Sequence, residues 1–236
     1  MNDYTTLIQN YISHSNEKEV IKENLIKFLD RKKYNNLLDI GCGTGEILQA
    51  IIKFFNQIVA IDKEFRLKKD VEANPKVTFS KQSYFEFQTD MSFDVILVAY
   101  VLWEIPSQSW DNFFAKMKSL LSKNGIVMVV DVYSKNKFDN QFFNFDTNLS
   151  QFSSWPDMYD YFSLKKIKHK KHPFSAQIKT QGAAEMYEIL RFFFQGTENK
   201  KFYAENKDKI IKDLIGKEVG GHCIINVRHS IDILYL

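Results

Sequence analysis

The apolar residues of the chain recur with two different spacings, which indicate helices and strands in alternation. Apolar positions three and four residues apart predict helices over residues 17–29, 47–55 and 110–121. Short unbroken apolar runs predict buried strands over residues 37–40, 58–61, 77–79, 93–98 and 126–131. Because strands and helices alternate at this spacing, the pattern predicts βαβ units that build a parallel sheet with helices on both faces.

The last third of the chain has a less regular pattern. Helical spacing returns over residues 157–162, 186–194 and 207–215. Residues 164–179 predict irregular hairpin strands, and residues 222–236 predict a long closing strand. Earlier in the chain, Asn124 and Gly125 are expected to end a helix and to open the fifth strand.

Composition places the chain among ordinary globular proteins. It has 236 residues, of which 44% are hydrophobic and 26% are charged, and one domain can hold this length. The nine glycines and four prolines exclude a collagen-like or disordered chain. A net charge of +3, with only four arginines, does not by itself predict a nucleic-acid or membrane partner.

Neither the termini nor the cysteines predict export, membrane insertion or metal binding. No basic segment with an apolar run opens the chain, and the longest apolar run, residues 95–103, is shorter than the ~18 residues of a membrane span. We therefore expect a cytoplasmic protein. Cys42 and Cys223 are too few for a disulfide framework or a four-thiolate zinc site, and we expect both thiols to be inert.

A glycine-rich loop, Leu-Asp-Ile-Gly-Cys-Gly-Thr-Gly-Glu over residues 38–46, joins the first strand to a helix. Its alternating glycines are Gly41, Gly43 and Gly45. Glycine permits positive φ and lets a ligand approach the backbone, and the helix beyond presents free amides. A dinucleotide loop would need glycine at Glu46, and a phosphate-binding Walker loop would need lysine after Gly45. The carboxylates of Asp39 and Glu46 instead favour a ligand with an ammonium or sulfonium group.

The second strand ends in an acid, Asp62, 21 residues beyond Gly41. A carboxylate at the tip of this strand can accept hydrogen bonds from both hydroxyls of a ribose. The alternative is a solvated loop aspartate, but the glycine loop beside it favours a nucleoside ligand.

Four stretches together, residues 38–46, 59–62, 93–96 and 101–105, resemble a class I S-adenosylmethionine-dependent methyltransferase. The resemblance covers residues 36–131. It implies a Rossmann-like, doubly wound, mostly parallel α/β sheet of seven strands with an antiparallel last strand and helical insertions in the C-terminal third. It also implies S-adenosyl-L-methionine as the cofactor.

The resemblance also implies which residues contact the cofactor. The glycine loop would pass under the methionine part and Asp62 would hold the ribose, and Asp39, Cys42 and Lys63 beside them would also contact the cofactor. The sulfonium end would be lined by Ala99, Tyr100 and Val101. The family usually carries an aspartate after the third strand, at the adenine amine, and here Gln82 or Ser83 must substitute for it.

Two residues outside these stretches are candidates as well. Methyl transfer from a sulfonium is a direct displacement, in which positioning supplies most of the acceleration. Glu104 lies one turn beyond Tyr100 and is expected to orient the acceptor, although a surface carboxylate is an equal alternative. Tyr11 is expected to contact the cofactor, with packing under the first helix as its alternative.

Aromatic residues form two clusters in the second half of the chain. The first consists of Phe138, Phe142, Phe143, Phe145, Phe152 and Trp155, and the second of Phe192, Phe193 and Phe194. The first cluster follows the fifth strand, where a lid could exclude water and hold a cationic acceptor by cation–π contact. Core or dimer-contact roles are equal alternatives.

The acceptor is the least determined part of the hypothesis. The order of elements over residues 157–236 resembles histamine N-methyltransferase and its relatives, which implies a small-molecule acceptor, with an amine as one class. The basic run over residues 165–172 leaves open a macromolecule methyltransferase acting on RNA or protein, although lysines on a solvated strand edge are the favoured interpretation. A non-catalytic cofactor-binding module is a further alternative.

We therefore expect a single methyltransferase domain over residues 1–236. Within it, residues 1–30 form an N-terminal helical lid, residues 31–135 the cofactor-binding core, and residues 136–236 the acceptor-binding elements and the sheet-closing strands. No metal ligand is expected, because His169 and His172 lack nearby cysteine or acidic ligands in the sequence.

Overall fold

The computed structural model describes residues 3–132, 158–194 and 197–236. The described residues divide into two compact units. The first unit contains Ile21–Asp131, residues 158–173 and Ser230–Leu236, and the second contains the rest of the described chain.

The five strands predicted over residues 37–131 are present in the expected order, whereas the helices at residues 69–72 and 197–205 were not predicted. The strands are β1 (Asn36–Ile40), β2 (Gln57–Ile61), β3 (Val77–Ser80), β4 (Phe93–Ala99), β5 (Leu121–Val132), β6 (Lys168–Thr180), β7 (Glu218–Val219) and β8 (His222–Tyr235). The helices are α1 (Asp3–His14), α2 (Glu17–Leu29), α3 (Glu46–Ile51), α4 (Lys69–Glu72), α5 (Trp110–Leu120), α6 (Met158–Leu164), α7 (Ala183–Leu190), α8 (Thr197–Glu205) and α9 (Lys207–Ile215). Short 3-10 helices cover Ile52–Phe54, Leu102–Glu104, Ser107–Ser109 and Arg191–Phe193.

The sheet has the strand order β3-β2-β1-β4-β5-β8-β6, and β7 pairs with β8 outside this path. The pairs β1–β2, β1–β4, β2–β3 and β4–β5 are parallel. The predicted mostly parallel α/β sheet of seven strands is therefore confirmed, and the two-residue β7 adds an antiparallel partner to β8. Because β1 lies between β2 and β4, the carboxyl ends of these three strands are neighbours, which is where ligands bind in open α/β sheets.

The core of the first unit forms where the apolar strands meet α5. In α5, five apolar residues at helical spacing are buried: Trp110, Phe113, Phe114, Met117 and Leu120. They belong to one cluster with the buried side chains of β1, β4 and β5. The strands are apolar over almost their whole length because helices cover both faces of a parallel sheet.

The start of β5 differs from the prediction. The strand begins at Leu121, directly after α5, so Asn124 and Gly125 lie inside it instead of ending the helix. Glycine fits here because a Cβ at Gly125 would lie 2.7 Å from the carbonyl oxygen of Phe93. The pairing of β4 with β5 also shifts register between Phe93 and Val95, at the same place.

The hairpin predicted over residues 164–179 is also wrong. The structure has one continuous strand there, β6, which includes Pro173. A proline lacks the amide that a central strand must donate, but β6 ends the strand order and therefore tolerates it. The segment contains no glycine or asparagine that would supply a tight turn, which explains why the strand continues.

The second unit has an aromatic core. Tyr187 and Tyr203 stack with ring centroids 4.5 Å apart, and each hydroxyl donates to the backbone carbonyl of the other residue. Phe194 stacks on Tyr203 at 4.3 Å. The late aromatic cluster predicted at residues 192–194 therefore packs within this unit, whereas the lid predicted around residues 138–155 lies outside the described residues. In the described ranges, no helix combines the length and the apolar character that a bilayer crossing requires.

Removing the Phe113 ring should destabilise the first unit strongly. Phe113 is fully buried and meets Tyr84 edge to face at 4.9 Å. We expect Phe113→Ala to lower the free energy of unfolding by about 3–5 kcal/mol, because the ring leaves a cavity. Phe85→Ala is the matched control, since that ring also contacts Phe113 but is 47% exposed. Denaturant unfolding of both variants measures the difference, and equal losses would contradict this assignment of the core.

Candidate functional site

The glycine loop lies at the carboxyl end of β1, between the ends of β2 and β4. It covers the residues between Ile40, the last residue of β1, and Glu46, the first residue of α3. The amides of Gly41 and Cys42 both donate to the carbonyl of Ile61, at 2.8 and 3.1 Å. These bonds attach the start of the loop to the end of β2.

The three glycines of the loop have positive φ, but they differ in what surrounds them. A Cβ at Gly41 would lie 2.4 Å from Cγ2 of Val101, and one at Gly45 would lie 2.8 Å from Cδ2 of Leu67. Packing therefore requires glycine at both positions. At Gly43, where φ is +53°, a Cβ would meet no atom within 4 Å. The backbone at Gly43 is thus open to a ligand that approaches it closely.

Asp62 follows β2 and is fixed by backbone amides on both sides. Its Oδ2 accepts from the amide of Gly43 at 2.9 Å. Its Oδ1 accepts from the amides of Glu64 and Phe65 at 2.8 and 2.9 Å. The carboxylate is therefore held against the open part of the glycine loop, and its role at both hydroxyls of a ribose stays a prediction.

Phe65 is a residue that the sequence analysis did not single out. Its amide helps to hold Asp62, and its side chain is 55% exposed beside the site. An aromatic residue three positions after the strand-end acid was the signal in the sequence that could have identified Phe65.

Asp39 lies within β1 and is almost completely buried, at 2% exposure. Burial, together with the negative charge of Asp62, raises the pKa of the Asp39 carboxyl to about 7. Burial and the same two carboxylates also raise the pKa of the Cys42 thiol. The thiol therefore stays protonated near neutral pH, which agrees with the expectation that Cys42 is inert.

The end of β4 carries a strained residue. Tyr100 has φ of +57°, a conformation that residues other than glycine adopt rarely. Its amide donates to the carbonyl of Val130 at 3.0 Å, which continues the ladder between β4 and β5 by one residue. Ala99 and Val101, the neighbours of Tyr100, are half-buried. Strain of this kind is concentrated at functional sites, so it supports a role for this strand end.

Glu104 ends the 3-10 helix Leu102–Glu104, a separate element from α5. Its Oε2 lies 3.5 Å from the Nζ of Lys63, which also lies 3.6 Å from a carboxylate oxygen of Glu64. Burial raises the pKa of the Glu104 carboxyl, and the Lys63 ammonium opposes this rise. The structure thus brings together two residues that the sequence placed in separate roles.

Gln82 and Ser83 follow β3, the next strand beyond β2. The side-chain amide of Gln82 donates to Oγ of Ser80 at 2.6 Å. The hydroxyl of Ser83 accepts from the amide of Phe85 at 3.3 Å. Both residues lie beyond the carboxyl end of β3, and their contact with an adenine stays a prediction.

Tyr11 belongs to the second unit, unlike the other candidate residues. Its side chain is buried, its hydroxyl donates to Glu17, and its ring stacks with Phe192 at 5.0 Å. These contacts agree with the packing alternative, and the predicted contact between Tyr11 and a cofactor stays a prediction.

A doubly wound sheet with an open glycine loop after β1 and a fixed acid after β2 defines a nucleoside-binding α/β domain. The family model described as a methyltransferase domain matches residues 13–175. The chain belongs to this methyltransferase family, and the resemblance to class I methyltransferases found in the sequence is confirmed.

Relatives by sequence are distant and partial. A demethylspheroidene O-methyltransferase from Rhodobacter capsulatus is 21% identical over 117 residues, which are 49% of this chain and 30% of that protein. An uncharacterized methyltransferase from Bacillus cytotoxicus is 22% identical over 111 residues, which are 46% of this chain and 52% of that protein. The chain therefore spans about a third to a half of the length of these relatives.

Solved structures match over nearly the whole chain. One of them is the N-methyltransferase NodS from Bradyrhizobium japonicum in complex with S-adenosyl-L-homocysteine, with a TM-score of 0.57 and 13% sequence identity. The match covers 99% of this chain and 98% of the NodS chain. The plantazolicin methyltransferase BpumL, in complex with a monoazolic desmethylPZN analog and SAH, has a TM-score of 0.57 at 14% identity and covers 99% and 90%. At this identity the two structures show that the fold is shared.

The buried carboxyl of Asp39 should make folding depend on pH. Its pKa is about 7 in the folded chain against an ordinary value of 3.8, so between about pH 4 and pH 7 the folded state binds more protons than the unfolded state. This contribution to stability therefore falls as the pH rises through that window and stays low above it.

Asp39→Asn removes this titration. Relative to the wild type, its free energy of unfolding should rise by up to about 3 kcal/mol between pH 5 and pH 8, since one pKa unit corresponds to about 1.4 kcal/mol. Denaturant titrations at both pH values measure the difference. A gap between variant and wild type that is the same at both would show that Asp39 is ionised throughout.

Proposed function

We propose that the chain transfers a methyl group from S-adenosylmethionine to a small-molecule acceptor, with amines as the first class to test. The observation that carries the proposal is the open backbone of Gly43 beside the fixed carboxylate of Asp62. Nucleoside ligands use this combination at the carboxyl edge of a parallel sheet. The same proposal includes two predictions from the sequence. One is a cytoplasmic location, and the other is the division of the chain into segments that end at residues 30 and 135.

The loop residues fit this cofactor in shape and charge. The positive φ of Gly43 and the open space around it would let the methionine part lie against the backbone. Three of the roughly four acceptor positions of the Asp62 carboxylate are used by amides, which leaves Oδ2 one position for a ribose hydroxyl. The buried Asp39 beneath the loop favours the positive ammonium and sulfonium groups.

When bound, S-adenosylmethionine supplies an electrophilic methyl group on a sulfonium. The residues at the end of β4 would then position the acceptor, because displacement requires the attacking atom in line with the methyl group. Tyr100 is held in place by its bond to Val130, and Glu104 can accept a hydrogen bond from an acceptor amine. Glu104 would thus act beside the reacting groups.

Contacts within the basic run support the small-molecule interpretation over a macromolecular one. Lys165 donates to Asp111 at 2.7 Å, and the ammonium of Lys171 lies 3.4 Å from the ring centroid of Tyr159. The ammonium groups of these two lysines therefore have partners within the chain, although Lys165, like Lys168 and Lys170 on β6, is exposed. The choice of amines as the first acceptor class to test draws support from NodS, which is named an N-methyltransferase.

Calorimetric titration with S-adenosylhomocysteine, with NAD run beside it, tests the cofactor. We expect micromolar binding of S-adenosylhomocysteine, about −8 kcal/mol, and no binding of NAD. Silence from S-adenosylhomocysteine in a folded sample would overturn the proposal. Binding without turnover across amine panels would instead support a non-catalytic module, and salt-sensitive RNA binding would support the macromolecular alternative.

Gly43→Ala tests the loop. A methyl group there should keep the chain folded, at a cost of roughly 1–2 kcal/mol for the positive φ, and should weaken S-adenosylhomocysteine binding more than about 100-fold. Gly220→Ala is the matched control, because Gly220 has φ of +58° and an equally open Cβ position in the turn between β7 and β8. The variants should therefore melt alike and differ in affinity, and equal affinities would remove Gly43 from the site.

A further inference from the structure

The Lys63–Glu104 ion pair joins the two loops that flank the glycine loop. Lys63 follows β2 and Glu104 follows β4, and β1 lies between these strands in the sheet. Neighbouring strands are about 4.8 Å apart, so the ends of β2 and β4 are separated by roughly 10 Å. The two side chains cross this distance, because Nζ and Oε2 lie 3.5 Å apart.

The charges around Glu104 make Lys63 its attractive partner. Among the described residues, the charged groups besides Lys63 that act on the Glu104 carboxylate are Glu64 and Asp62, and both repel it. Within the described part of the chain, Lys63 therefore supplies the attraction that holds Glu104 beside the residues after β2. Asp62, the residue before that lysine, holds the Gly43 amide. The residues after β2 are thus bound to the loop after β1 by the Asp62–Gly43 hydrogen bond and to the loop after β4 by the ion pair, on either side of the open backbone of Gly43.

We propose that the Lys63–Glu104 ion pair closes the cofactor groove, by which we mean the space over the glycine loop between the ends of β2 and β4. The pair must open for the nucleoside to enter or leave. The inference rests on the proposed function, because it takes S-adenosylmethionine as the ligand held at Asp62. Both side chains are about half exposed, at 54% for Lys63 and 43% for Glu104, so water can replace the contact. An ion pair of this exposure shifts an equilibrium by roughly 1.5- to 5-fold, which suits a closure that opens in each catalytic cycle.

The test is the rate at which S-adenosylhomocysteine leaves the full chain, measured by surface plasmon resonance. We expect Lys63→Met and Glu104→Gln each to speed dissociation by about 2- to 5-fold. The double variant should be no faster than either single variant, because the two changes remove one and the same contact. Raising KCl should speed dissociation from the wild type and leave the variants nearly unchanged, since salt screens an exposed pair.

Lys165→Met is the matched control. Lys165 pairs with Asp111 at 2.7 Å with side-chain exposures of 40% and 60%, and the two residues lie directly after α6 and in the first turn of α5, away from the glycine loop. This pair does not connect the ends of β2 and β4, so its loss should leave the dissociation rate unchanged. The charge exchange Lys63→Glu with Glu104→Lys should restore slow dissociation, because it rebuilds the pair in reverse.

Each other outcome overturns the inference. Effects of the two single changes that add up in the double variant would mean that each residue contacts the ligand by itself. Unchanged rates in all variants would mean that the pair does not control exchange, although the cofactor assignment would stand. A wild-type chain that does not bind S-adenosylhomocysteine would overturn the proposed function, and the closure with it.

Discussion

The hydrogen bond from the Gly43 amide to the Asp62 carboxylate is the contact on which the site depends. It joins the loop after β1 to the residue after β2, and the second carboxylate oxygen binds two further amides. A carboxylate is suited to this task because it accepts several donors at once and forms stronger bonds than a neutral group. The loop can therefore keep its backbone open at Gly43 while its ends remain fixed.

The site concentrates features that are unfavourable for folding. Asp39 is a buried carboxyl, Tyr100 has a left-handed backbone, and three glycines of one loop have positive φ. Such features persist only where the surrounding structure determines them. Here that structure is the apolar sheet with α5 packed on it, in which the strands beside the site are almost fully buried. The site residues therefore lie at the ends of the same strands that form the apolar core.

The sequence predicted what depends on local pattern. The strands β1, β2 and β4 are short apolar runs, and Asp62 stands at a strand tip, so both could be recognised without tertiary information. The course of β6 could not, because whether Pro173 is tolerated depends on which strand lies at the edge. The contact of Lys63 with Glu104 could not be predicted from the sequence either, because it depends on the position of β1 between β2 and β4 in the sheet. The prediction that Gly125 ends a helix was wrong. The local sequence does not distinguish such a glycine from one that permits the close approach of two backbones.

The shifted pKa of Asp39 has a consequence for the thermodynamics of ligand binding. Because burial raises this pKa to about 7, part of the ligand-free population carries a proton on Asp39 near neutral pH. A cation that binds beside this carboxyl favours its ionised form and therefore releases part of a proton to the buffer. The heat measured on binding would then include the ionisation enthalpy of the buffer, and it would differ between phosphate and Tris at the same pH. Because binding releases protons to the solvent, the apparent affinity for a cationic ligand also depends on the pH.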